Sequence, residues 1–582
     1  MSLKKKNFLN IVLTFTFTVA YVLLLICFLP KPYYTNDQVL MRDIASGVYT
    51  GTPDAHLIYI MYPLGLIFKG LYSLTGAVKW YDIFMYLVYP VSFFLLAYKL
   101  FRSPDRFGLK LLCGVSALVC IFSIGAHFYV QNEYTLDAGI LAAVGILYLF
   151  PWRGETQKER IFRIIVVIVE FTFALWLRKN VFLLSLPILV LAVIFLTIKG
   201  TKIRELLKTI VPVIVIFLVS IGIEAYVYSS AEWKQFIAFN DARTLVFDYY
   251  WFPEYYENEE LYSKLNISVE EYNSISEGLG LMDELDAKDL TQLANINKAK
   301  VTPIYYQKSE LLRTLADEIV SAIKQPVGAV ALLLAVLLVY VIVRFSLNQK
   351  NKKSLFLLEL PILTTIYVCA VIVYFSYLNR FPERVSLGLY YMAAAAFLGG
   401  LLEMGTSKEE SLRNLLPIMA ASVLALLIGL VTVRGNISEA RENADFWSAC
   451  IDENRAVNEY CNENQSNLYF VSSGISKYST DRMLTNAYET AENLLTLNYW
   501  TLESPLFETR LGNLNLKSLK ETLLTSDNLY FIAKESENLE WLTKLSESYG
   551  RNIELVKCDE TENLRENLVV YKIEDAGETL TK

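Results

Sequence analysis

Long apolar runs alternate with polar connectors from residue 8 to residue 433. About eleven of them approach the ~20 residues that cross a bilayer. They cover 8–29, 83–101, 109–125, 135–150, 161–177, 181–198, 209–228, 327–345, 355–377, 385–403 and 414–433. This spacing predicts a polytopic α-helical membrane protein. One further run, 57–74, is interrupted by Pro63, Gly65, Lys69 and Gly70. Its placement is decided by the connectors. If 57–74 does not cross, the basic connectors 102–110, 151–163, 199–208, 344–353 and 404–413 all fall inside, as the positive-inside rule asks. The N-terminus is then cytoplasmic, and 57–74 is a re-entrant or surface helix on the outer face. The outside also holds loops 30–82 and 229–326 and everything after about 434. Lys4, Lys5 and Lys6 precede the first run, but that run is long and no small-x-small site follows it, so it reads as a retained helix.

Polar patterning marks the outer pieces. Thr35-Asn36-Asp37-Gln38 has the S/T-x-x-E/Q form of a capping box, and Ser46-Gly47 is a stop. Between them Val39, Leu40 and Ile44 share one face, while Asp37, Arg42 and Asp43 sit off it. The expectation is a helix lying on the membrane surface, with Asp37 at its positive N-terminal end. The loop after residue 229 opens with an aromatic segment, 233–256, and continues with helical patterns at 268–278 and 286–297. The tail, 434–582, is expected to be a separate extracytoplasmic α/β domain. It carries a polar helix over about 437–461 and strands at 467–472, 528–533 and 568–573. Helices are expected at 480–493, 515–525 and 537–548.

Composition agrees with the membrane class: 54% of the 582 residues are hydrophobic and 13% aromatic, with a mean hydropathy of +0.35. The net charge of -7 hides an asymmetry. The outer loop and tail are acidic and the cytoplasmic rim is basic, which argues against nucleic acid as a partner. Seven cysteines show no CxxC or Cys/His spacing, so no zinc or redox motif is present. A Cys461–Cys558 bridge is left open.

The chemistry-bearing residues gather on the outer face. Asp37, Asp43, Asp54 and His56 lie in the first loop. His127, Gln131, Asn132, Glu133 and Asp137 surround the next outer turn, followed by Arg178, Lys179, Arg243, Asp248, Arg380 and Arg384. Carboxylates and arginines at headgroup depth suit a phosphorylated lipid: guanidinium forks pair with phosphate, and a carboxylate takes a proton from an acceptor hydroxyl. Each also has a plainer role. Asp37 serves as a helix cap, Arg178-Lys179 and Arg380/Arg384 as interfacial anchors, and His56 as a hydrogen-bonded turn residue. No cofactor is demanded by any motif. A divalent metal held by Asp37, His56, His127 and Glu133 is conceivable, but no spacing requires it.

The chain resembles the GT-C class of polyprenyl-phosphate-sugar-dependent membrane glycosyltransferases, which includes protein O-mannosyltransferases and lipid A aminoarabinose transferases. The resemblance is carried by Asn36-Asp37 early in a long first outer loop, a helix ending at Ser46-Gly47, and His56 ahead of Pro63-Leu64-Gly65. Tyr72, Gly76 and Trp80 before the second span, and the turn Leu177-Arg178-Lys179-Asn180-Val181-Phe182 ahead of Pro187, complete it. It covers residues 1–230 best. Gln38 stands where the class often has a second acidic residue, and the α/β tail is not general in the class. The resemblance implies an inverting hexosyl- or pentosyltransferase of the cell envelope with Asp37 as base. It would move sugar from a polyprenyl-phosphate donor to a glycan, lipid or protein acceptor. Asn36, Asp54, His56, Glu133, Arg178, Lys179, Arg243, Arg380 and Arg384 are the substrate-binding candidates. Among them the arginines and Lys179 would hold the lipid phosphate, and Glu133 or Asp54 the acceptor or a metal.

Two other classes compete. One is a protein that handles lipid-linked glycans without transfer: a polymerase, ligase or flippase. The other is a transporter or a membrane-anchored interaction protein. Transporters place charges and broken helices at mid-membrane, often in repeated halves. Here Glu170 and Glu224 are the main acidic residues within spans and no repeat is evident.

Overall fold

The computed structural model describes residues 3–29, 36–103, 106–130, 132–152, 154–305, 308–349, 352–378, 382–404, 412–477, 480–484, 490–558, 564–565 and 567–576. The first helices are α1 (Leu3–Phe28), α2 (Asn36–Ser46), α3 (Tyr62–Leu74), α4 (Trp80–Arg102), α5 (Phe107–Val130) and α6 (Tyr134–Leu149). Then come α7 (Gln157–Leu177), α8 (Lys179–Ile198), α9 (Ile203–Val227), α10 (Ala231–Thr244), α11 (Glu259–Lys264), α12 (Val269–Gly278) and α13 (Ala287–Tyr305). They are followed by α14 (Lys308–Lys324), α15 (Pro326–Gln349), α16 (Glu359–Tyr377), α17 (Glu383–Met404) and α18 (Leu412–Glu463).

Among the described residues nine helices are long and apolar enough to cross a membrane, so the chain is a multi-pass membrane protein. Two of the eleven expected spans fall short. α6 has 16 residues, and α7 brings Arg160, Arg163 and Glu170 into its apolar stretch. The run at 57–74 forms the 13-residue α3, too short to span. Phe8, Phe15, Leu23, Leu218 and Val219 are exposed, which is costly in water and required against lipid.

The C-terminal sheet domain follows α18, which runs unbroken through residue 434. Its elements are β1 (Leu468–Val471), α19 (Ser473–Ser476), β2 (Leu494–Thr496), α20 (Pro505–Asn513), α21 (Leu519–Thr525), β3 (Leu529–Lys534), α22 (Glu540–Ser548), β4 (Ile553–Lys557) and β5 (Leu568–Asp575). The strand order is β2-β1-β3-β5-β4. β1 lies parallel to β2 and β3, and β5 antiparallel to β3 and β4. Side chains alternate between two cores, as a period of two requires. Phe470, Leu529, Phe531 and Ile573 pack with Phe239, Leu290 and Leu293 of the 229–326 loop. Tyr469, Val471, Ile532 and Val570 pack with Val457 and Cys461 of α18. Cys461 and Cys558 are both free thiols.

The expected helix at 480–493 does not form over its described residues. Asp481 and Thr490 bond to α2 instead, so tertiary partners outweigh local propensity.

Candidate functional site

Asp37 stands in the first turn of α2, its backbone N–H bonded to Asn36 Oδ1 at 2.9 Å. The proposed cap residue Thr35 lies outside the described residues. The helix stops where expected, at Gly47 with φ +89°, where a Cβ would sit 2.6 Å from the Pro53 nitrogen. Burial pushes the Asp37 carboxyl up to about 6. The Glu133 charge acts in the same direction, while Arg384, Arg243 and Arg178 oppose it. Six of the sequence candidates, Asn36, Asp37, Glu133, Arg178, Arg243 and Arg384, therefore converge on one site.

Each converging residue has a local cause. Arg178 is the residue between α7 and α8, and its backbone N–H closes the last turn of α7 on the Ala174 carbonyl at 3.1 Å. Its guanidinium lies 5.4 Å from the ring centroids of both Tyr59 and Tyr134, a cation–π setting. Glu133 caps α6, accepting from the backbone N–H groups of Thr135 (2.7 Å) and Leu136 (3.1 Å) and from the Thr135 hydroxyl (2.9 Å). Arg384 reaches it at 3.7 Å. That pairing follows from the close crossing of α6 and α17, where a Cβ on Gly139 would lie 2.6 Å from the Gly388 Cα. Arg243, near the end of α10, bonds among the described residues only to Asn240 Oδ1, at 3.2 and 3.3 Å. The three guanidinium groups thus make one long ion pair among the described residues, and most of their donors stay available to an anion.

Asp54, His56 and Lys179 fall in a neighbouring cluster. His56 Nδ1 lies 2.6 Å from Asp54 Oδ1, and Lys69 is 3.8 Å from Asp54 Oδ2. The imidazole stacks on Trp233 with centroids 4.5 Å apart. Lys179 is exposed and acts by charge on Glu224 and Asp241. This loop depends on Gly65, where a Cβ would stand 2.1 Å from the Ala55 carbonyl oxygen. We expect Gly65→Ala to displace the 54–61 loop and lower stability by about 1–3 kcal/mol, as overpacking does. Thermal unfolding in detergent checks it, and an unchanged midpoint would show the loop free to shift.

Arg380, Gln131 and the side chain of His127 lie outside the described residues. Among those described, no group of three His, Cys, Asp or Glu side chains is placed to hold a metal ion.

One expectation is corrected. α2 is not a surface helix with its polar side in water, because every residue from Gln38 to Ala45 is buried. The C-terminal domain covers the polar side. Arg42 donates to Asp43 Oδ1 at 2.9 Å and to Asp481 Oδ2 at 2.8 Å, and Thr490 donates to Asp43 Oδ2 at 2.6 Å. Sequence reasoning missed Tyr59, Tyr134, Tyr499 and Trp500 as site neighbours. Their only signal was aromatic identity, which an interfacial belt shares.

No model of a known protein family matches the chain, and no curated protein matches it. A crystal structure of ArnT from Cupriavidus metallidurans bound to undecaprenyl phosphate is similar to it with a TM-score of 0.37 and 12% sequence identity. The match covers 96% of this chain and 97% of that one. A likeness at this level carries no conclusion.

Proposed function

We propose that the chain is a GT-C-type membrane glycosyltransferase that moves a sugar from a polyprenyl-phosphate donor to an acceptor on the outer face of the membrane. Residues 1–433 form the membrane unit and 434–582 the outer domain. The observation that carries this is the half-buried Asp37 carboxylate facing three incompletely paired guanidinium groups. A base stands beside an anion cradle.

In this reaction Asp37 takes the proton of the acceptor hydroxyl as its oxygen attacks the anomeric carbon. The bond from that carbon to the phosphate oxygen breaks with inversion. Arg178, Arg243 and Arg384 hold the departing polyprenyl phosphate and stabilise its added charge. With a carboxyl near 6, the base is ionised at neutral pH and still close enough in affinity to accept a proton. An apolar cavity of about 160 Å³ between α1, α4, α5, α6, α15 and α17 includes Tyr391 and Ala394 in its lining. Tyr391 lies two turns along α17 from Arg384, a place where part of a lipid chain fits.

The test is binding and transfer with purified protein. Arg243→Ala and Arg384→Ala should each weaken polyprenyl-phosphate binding by about 1.5–3 kcal/mol, the range for hydrogen bonds to charged groups. Unchanged affinity would return both arginines to the role of helix-end anchors. Absence of both lipid-phosphate binding and sugar transfer in the wild type would remove the proposal.

A further inference from the structure

α2 is held from its polar side by Asp481 and by segment 490–513 of the C-terminal domain. The Tyr499 hydroxyl donates to the Asn36 carbonyl oxygen at 2.9 Å, one residue before Asp37. Beyond the far end of the helix, Tyr49 meets the Thr501 hydroxyl at 3.0 Å. Arg510 donates to the Tyr49 carbonyl at 3.3 Å, and Asn513 to the Thr50 carbonyl at 3.2 Å. The Leu484 backbone N–H bonds to Asp82 Oδ2 at 2.6 Å, a contact with the start of α4. Trp500 is 4% exposed. Its ring centroid lies 5.1 Å from that of Tyr59, the residue Arg178 faces. The indole N–H is buried and has no acceptor among the described residues, whereas buried donors are nearly always satisfied.

We propose that segment 490–513 is a functional part of the Asp37 site, with Tyr499 positioning Asp37 through Asn36 and Trp500 offering its indole N–H to a phosphate oxygen of the bound lipid substrate. Tyr499 is a positioning residue and Trp500 a binding residue. The Trp500 role rests on the glycosyltransferase reading, whose sugar-phosphate substrate is rich in oxygen acceptors. The Tyr499 role does not.

Two measurements on the purified full chain separate these roles. The first needs no substrate: carbodiimide modification of Asp37 as a function of pH, read by mass spectrometry, since the protonated carboxyl reacts. Asp37 is faced by Glu133, Arg178, Arg243 and Arg384, with Tyr59, Tyr134 and Tyr499 close by. In the wild type, modification should fall away as pH rises through about 6. Tyr499→Phe should lower that midpoint by about half a pH unit or more as the first turn of α2 relaxes toward water. A residue serving stability alone would lower the melting temperature and leave the midpoint in place, and that result overturns the positioning role. The second is titration with undecaprenyl phosphate, with inorganic phosphate as control. Trp500→Phe keeps the ring, loses the N–H, and should bind the lipid phosphate about tenfold more weakly. Equal affinity in variant and wild type overturns the Trp500 role. A wild type that binds neither probe overturns the glycosyltransferase reading and the Trp500 role with it, and the modification profile still decides Tyr499.

Discussion

Asp37→Asn should reduce sugar transfer by about 10²–10⁴-fold, the usual share of a general base, while leaving the protein folded and inserted. Asparagine keeps the shape and the cap-like position but has no basic oxygen for the acceptor proton. In the wild type, transfer should fall about tenfold per pH unit below about 6, because the protonated carboxyl is no base. Stability should move the other way. The folded-state carboxyl sits above its ordinary value of 3.8. Its contribution is therefore fully present below pH 3.8 and lost as pH rises through about 6. Asn carries no such loss, so the variant should gain on the wild type between pH 4 and pH 7, by on the order of 2–3 kcal/mol at the plateau. Transfer assays and thermal unfolding across this range check both limbs. Near-wild-type activity would take Asp37 out of the mechanism, and parallel stability profiles would place its carboxylate in water.

Arg42→Met should destabilise the protein by about 3–5 kcal/mol, the cost of breaking a buried ion pair from one side. Arg42 is 1% exposed and binds Asp43 and Asp481 at 2.8 Å each. Without it two carboxylates are left buried near each other, with Thr490 bonded to one and Arg455 at 3.4 Å from the other. The contacts of α2 with Asp481 and Thr490 should loosen, so limited proteolysis next to these residues should accelerate. Adding Asp43→Leu removes one stranded charge and should recover a large part of the loss, since apolar replacement of a buried pair is often neutral. An unchanged melting temperature in the single variant would mean that the network is hydrated.

Much of the architecture was legible because it depends on local, repeating signals. Apolar length set nine of the eleven expected spans, and the basic connectors kept 57–74 from counting as one: α3 is 13 residues long. Period-two patterns located β1, β3 and β5 within one or two residues. β2 is too short, at three residues, to leave a pattern of its own. The polar pattern also singled out Asn36, Asp37, Glu133, Arg178, Arg243 and Arg384, because polar and charged side chains at helix ends stand out against an apolar chain.

The sequence by itself thus determined the membrane class, the helix ends and the short set of charged residues placed at them. Only the tertiary structure decided which of these share a site. Asp54, His56 and Lys179 were separated from Asp37, and Tyr59, Tyr134, Tyr499 and Trp500 were added. It also reversed the surroundings of Arg42 and Asp43. Their position off the apolar face of α2 reads as solvent exposure, yet they are buried under the C-terminal domain. The physical reason is that helix periodicity records which residues share a face, whereas the partner of a polar face is a side chain such as Asp481, more than 400 positions away.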